Sequence, residues 1–134
     1  MIVDEIVARF DNDTDSAINA LRTLIGVNQM WADTLPTAVN SPYIQVMHSA
    51  TSLASMTTKS RNLDAIIQFG VFSEDRGFAD SVLEAIELAY LPHKLTLSGY
   101  DHLGTYFNNR SNTVQPGPIW LGLLELRYNV SKYL

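Results

Sequence analysis

Residues 64–90 read DAIIQFGVFSEDRGFADSVLEAIELAY, and the spacing of their apolar side chains changes once along the way. In the first part, Ala65, Ile67, Phe69 and Val71 alternate with Asp64, Ile66, Gln68, Gly70 and Phe72, the two-residue repeat of a β-strand. Beyond the turn SEDRG, Phe78, Val82, Ala85, Ile86 and Ala89 recur at helical spacing, with Asp80, Glu84 and Glu87 opposite them. Ser73, Glu74 and Asp75 supply a polar, acidic start to this helix. Pro92 stops it, and Lys94 lies just past its negative end. A one-faced strand followed by a one-faced helix predicts a sheet whose apolar side is covered by helices.

The same alternation recurs at the end of the chain. In IWLGLLELRYNV, Trp120, Leu124, Leu126, Tyr128 and Val130 share one face, while Glu125, Arg127 and Asn129 share the other. This predicts a strand with one buried and one wet side, the buried residues facing Phe78, Val82 and Ile86. KLTLS, residues 94–98, predicts a further short strand. Upstream, VNQMWADTLPT and SPYIQVMH are strand-like segments joined around Pro36 and Pro42, and they predict an antiparallel pair. At the start, Ile2, Val3, Ile6, Val7 and Phe10 mark one short helix. Ala17, Ile18, Leu21, Leu24 and Ile25 mark another, ended by Gly26. The expected fold is α+β: an antiparallel or mixed sheet of four to five strands with two to three helices packed on one face.

A chain of 134 residues fits one domain. Within it, residues 1–26 are helical, and residues 49–62 and 99–118 are long polar excursions. The first, SATSLASMTTKSRN, has Leu53 and Met56 as its apolar anchors. It reads equally as a loop or as an extended β-arm that orders against a partner. The second sets Tyr100, Tyr106 and Phe107 among asparagines and glycines, as a surface loop or a contact surface would. Thr57, Thr58, Lys59, Arg61, Tyr106, Asn108 and Arg110 are the candidate interface residues of these two stretches.

Composition removes whole classes of function. The absence of cysteine excludes thiolate catalysis, zinc–thiolate sites and disulfides. Fourteen acids against nine bases give a formal charge of −5, which argues against wrapping nucleic acid or binding a membrane through a basic patch. The start MIVDEIVARF carries acids where a signal peptide needs positive charge, so a soluble, non-secreted protein is expected. In FDNDTDSAINALR, Asp11, Asp13 and Asp15 have the first spacings of a calcium loop, but Ser16 and Arg22 stand where glycine and glutamate should be. No metal is assigned. Asp13 or Thr14 instead predicts a helix N-cap, or a bend within one longer helix.

Catalytic letters do not assemble. Ser98, Asp101 and His102 are the residue types of a hydrolase triad, but a triad converges from separate loops, and Thr96 stands where the nucleophile-elbow glycine belongs. His48, His93 and His102 lack metal-ligand spacing. Glu84 and Glu87 lie on the wet side of their helix. No catalytic residue, cofactor or metal is assigned, and an enzyme is not expected.

The succession SPYIQV, DAIIQFGVFSEDRGFADSVLEAIELAY, KLTL and IWLGLLELRYNVSK resembles the tail terminator and tail completion proteins of long-tailed bacteriophages. The resemblance covers residues 14–132 and rests on pattern and order. It implies a homohexameric ring at the head-proximal end of the tail tube that stops tube polymerisation and joins the tail to the head-side connector. It further implies a tail or neck component of the virion, assembled in the host cytoplasm, with the tube protein and connector as partners. DNA would pass through the lumen without sequence-specific binding. The alternative from another class is a small-molecule-binding regulatory α+β domain of ferredoxin-like type, acting as an oligomer.

Overall fold

A computed structural model describes residues 2–35, 41–114 and 119–133. Three helices, α1 (Ile2–Asn12), α2 (Ser16–Ile25) and α3 (Arg76–Tyr90), accompany five strands. The strands are β1 (Met30–Ala32), β2 (Tyr43–Met56), β3 (Ser60–Ser73), β4 (Asp101–Val114) and β5 (Trp120–Tyr133). They form one sheet in the order β1-β2-β3-β5-β4, as an α+β fold requires. The expected turn at Pro36 and the last residues of the 99–118 stretch lie outside the described residues.

The strand and helix of residues 64–90 form as their periods dictate. Ala65, Ile67, Phe69 and Val71 of β3 are buried on one face, and Leu124, Leu126, Tyr128 and Val130 of β5 join them in antiparallel register. Against this surface α3 lays Ala79, Val82, Leu83, Ala85, Ile86 and Ala89. Asp75 caps α3, its carboxylate accepting from the Phe78 N–H at 3.1 Å. The approach is closest at Gly122, where a Cβ would stand 3.0 Å from Leu83 Cδ1. α1 adds Ile2, Val3, Ile6 and Phe10 to the same core, and α2 adds Ile18, Leu21 and Ile25.

Four expectations are corrected. β1 runs parallel to β2, not antiparallel, with Met30 opposite Ile44 and Ala32 opposite Val46. Alternation tells which side chains share a face but carries no strand direction. KLTLS is not a strand. Its Leu95 is buried and Leu97 makes a single bridge to Tyr100 across a tight turn, where Gly99 has a φ of +78°. The stretch from residue 101 onward is not a loop but the 14-residue β4. Finally, β3, α3 and β4 make a split β-α-β unit, with β5 between two parallel strands. Among the described residues the order α-α-β-β-β-α-β-β is not the β-α-β-β-α-β succession of a ferredoxin-like fold.

Leu126→Ala should cost about 2–5 kcal/mol in urea denaturation, because Leu126 is fully buried beneath the helices. Arg127→Ala, one residue on and exposed, should cost less than about 1 kcal/mol, since it removes only a cation–π contact to Tyr106. Equal losses would contradict the assignment of faces.

Candidate functional site

The seven interface candidates separate into two groups, one at the β2–β3 hairpin and one on the edge strand β4. Thr57, Thr58 and Lys59 form the tip of the hairpin between β2 and β3, where the Thr57 hydroxyl accepts from the Ser60 N–H at 3.1 Å. Arg61 lies just inside, opposite Met56 on β2 and Lys132 on β5. The 49–62 stretch is therefore a β-arm, fixed by its ladder to β3. Tyr106 and Asn108 belong to β4 at the far edge. Tyr106 packs over Arg127, and the Asn108 amide donates to Glu125 at 3.0 Å. Arg110 turns inward toward α3, 3.6 Å from both Asp80 and Glu87. It ties β4 to the helical layer.

Both sheet edges are open among the described residues. β1 covers β2 only from Ile44 to Val46, so the strand continues bare from residue 47 to 56. That edge, MHSATSLASM, contains no acid, lysine, arginine or proline. β4 bonds to β5 on one side and to no strand on the other. Edge strands of lone proteins are usually blunted by charge, proline or bulges. Here the bulges are present in both strands, the prolines and lysines in neither. Exposed apolar side chains mark the same two places: Met47, Leu53 and Met56 on β2, Leu103, Tyr106 and Phe107 on β4.

A cavity of about 450 Å³ opens on the helix side of the arm's root. Leu63, Ala65, Ile67 and Val130 of the sheet line it, with Ile2 and Val3 of α1 and Leu97 and Tyr100 of the turn. Asp4, Glu5 and Asp33 add carboxylates to the lining. Sequence patterning gave no sign of this cavity, because its lining comes from six separate segments.

The catalytic letters have structural roles. The ring of His102 is buried, with Nδ1 accepting from the Leu95 N–H at 2.8 Å and Nε2 facing Thr105 Oγ1 at 2.8 Å and the Gly104 carbonyl at 3.1 Å. Neither nitrogen is left for a nucleophile. The aspartate run is also committed. Asp15 occupies the N-cap position of α2 without a capping bond from its side chain, which corrects the expected cap. Its carboxylate instead takes a bidentate pair of bonds from the Arg9 guanidinium, at 2.7 and 3.2 Å, and Asp13 takes another at 2.8 Å. Arg9 is buried and also donates to the Ala89 carbonyl near the C-terminal end of α3, at 2.8 Å. One cation thus joins all three helices.

No protein-family model matches the chain, and no curated protein matches it. Among solved structures it is similar to a chain described as belonging to the virion of a native gene transfer agent (GTA) particle. The likeness covers 97% of this chain and 94% of that one, with a TM-score of 0.76 and 17% sequence identity. The two chains share a fold. Both open edges and the arm fall within the matched length, since nearly the whole chain is aligned.

Two titrations follow from these contacts. The Arg9 guanidinium holds the Asp15 carboxyl at about 2, below its ordinary 3.8. A carboxyl depressed on folding stabilises fully above its unfolded value and loses that contribution as the pH falls. Urea denaturation between pH 5 and 2 should therefore show a loss that is smaller in Arg9→Met, and carboxyl NMR of that variant should find Asp15 back near its ordinary value. Burial lowers the His102 pKa, so its neutral form stabilises the fold above about pH 6.5 and that contribution falls away in acid. Imidazole ¹⁵N shifts at pH 8 should show a neutral ring protonated on Nε2; a ring protonated on Nδ1 there would contradict the hydrogen-bond assignment.

Proposed function

We propose that this chain is a structural subunit of a virion, which forms a ring at the head-proximal end of a phage tail tube. In that position it stops tube polymerisation and provides the joint to the head-side connector. The observation that carries the reading is the full-length likeness to a chain of a gene transfer agent virion. The open edges support it. A closed ring is built from head-to-tail contacts in which each copy presents two different surfaces, and β2 and β4 are two different edges on opposite sides of one sheet. Pairing β4 of one copy with the bare part of β2 on the next would satisfy both rows of backbone groups.

The partners under this reading are further copies of the chain, the tube protein and the connector, and the role is not enzymatic. Its place is the tail or neck of the particle, after assembly in the host cytoplasm. The formal charge of −5 suits a conduit, because a negative wall repels phosphates and lets DNA pass without sticking. A small-molecule-binding oligomer is the second reading, and the 450 Å³ cavity is the observation that favours it.

Light scattering on the purified protein separates the two. The ring reading expects a mass of six copies of the 14.9 kDa chain and annular particles by electron microscopy. A dimer or monomer whose melting temperature rises with a bound metabolite would contradict it in favour of the regulator.

A further inference from the structure

The arm tip and the cavity are chemically matched, yet they do not meet within one chain. The cavity is lined at the arm's root by Thr51 and Leu63. Met56 lies five residues beyond Thr51 along β2, roughly 15 Å further out at the rise of a strand. The tip is apolar and basic: Met56 is 64% exposed and Leu53 55%. Beside them, the Lys59 ammonium has no ion-pair partner among the described residues. The cavity is apolar and acidic, its lining including Leu63, Ala65 and Ile67 together with Glu5 and Asp33. In an acidic protein such a cation on a projecting arm is the complement of that cavity.

We infer that the arm of one copy docks in the cavity of the next, with Met56 entering between α1 and the Leu97–Tyr100 turn and Lys59 meeting Glu5 and Asp33. The occupant is thus a second copy of this chain. Leu53, on the same side of the hairpin as Met56, closes the mouth. The inference rests on the ring reading, to which it adds a second joint alongside the sheet edges. Within a ring, an extended element handed to a neighbour fixes the order of subunits, because tip and cavity are unlike and each copy gives its arm to one neighbour and takes one from the other. It also removes from water apolar groups that the lone chain leaves exposed.

The absence of cysteine makes the test direct. A Met56→Cys protein and a Ser98→Cys protein are prepared separately, dissociated, mixed and treated with a short bis-maleimide. Both positions are exposed, and Ser98 lines the cavity. The expected result is a covalent dimer in the mixture that neither variant gives alone. Adding Lys59→Glu to the Met56→Cys protein should lower its yield several-fold. Light scattering on the same samples keeps the two readings apart. A six-copy ring without mixed cross-linking overturns arm docking and leaves the ring standing. Mixed cross-linking in a particle of two copies supports docking and overturns the ring. A monomer without cross-linking overturns both.

Discussion

A 14-residue strand spans roughly 46 Å at about 3.3 Å per residue, whereas the 15-residue α3 spans roughly 22 Å at 1.5 Å per residue. The helical layer is therefore too short to cover the sheet along its length. β2, β3, β4 and β5 are all of this 14-residue length, but the cover ends unevenly: at the hairpin end Val130 and Ser131 of β5 and His102 of β4 stay buried, while β2 is bare. The outer part of β2, from residue 47 to 56, is exposed at every position. Burial stabilises the covered half. The outer part of β2 is held by its ladder to β3, and Leu53 and Met56 remain exposed on it.

The covered half is held rigid by a second constraint. Three short helices on one face could slide over an apolar sheet, since hydrophobic burial is not directional. Arg9 removes that freedom: one guanidinium satisfies Asp13, Asp15 and the Ala89 carbonyl. Arg22 does the same for the end of α1, donating to the Phe10 and Asp13 carbonyls at 2.7 and 2.6 Å. Tyr90 closes the arrangement from α3, its hydroxyl donating to the Ile6 carbonyl at 2.7 Å. On the far side Arg110 fixes β4 to α3. The protein thus presents a firm body with projecting strands.

Much of the body was legible in the sequence. β3, α3 and β5 carry clean periods because each has one face fully buried, and burial is what imposes a period. β4 was hidden for the opposite reason. Its side chains are mostly exposed, and its bulges between His102 and Gly104 and between Phe107 and Asn109 reset which side each residue faces. The outer half of β2 was hidden likewise by the bulges at His48/Ala50 and Leu53/Ser55. Lys59 and Tyr106 could be picked out as exposed from composition alone. The ion pairs of Arg110 were not legible, because the acids it meets lie 30 and 23 positions earlier in the chain. The Arg9–Asp13 pair is a spacing of four within a helical pattern, and there the sequence did hold the signal. The cavity is a property of six segments brought together, and no local pattern encodes it.

What joins these observations is the proposal that the open edges of the sheet, which carry bulges but neither proline nor lysine, are completed by other copies of the chain. Amide hydrogen exchange along β4 in the assembled protein tests this most directly, because alternate N–H groups of that strand point away from β5. If edges join copies, those outward amides exchange slowly in the assembly and rapidly once it is dissociated, while the β5-bonded amides stay protected throughout. Fast exchange of the outward β4 amides in an intact assembly would contradict it.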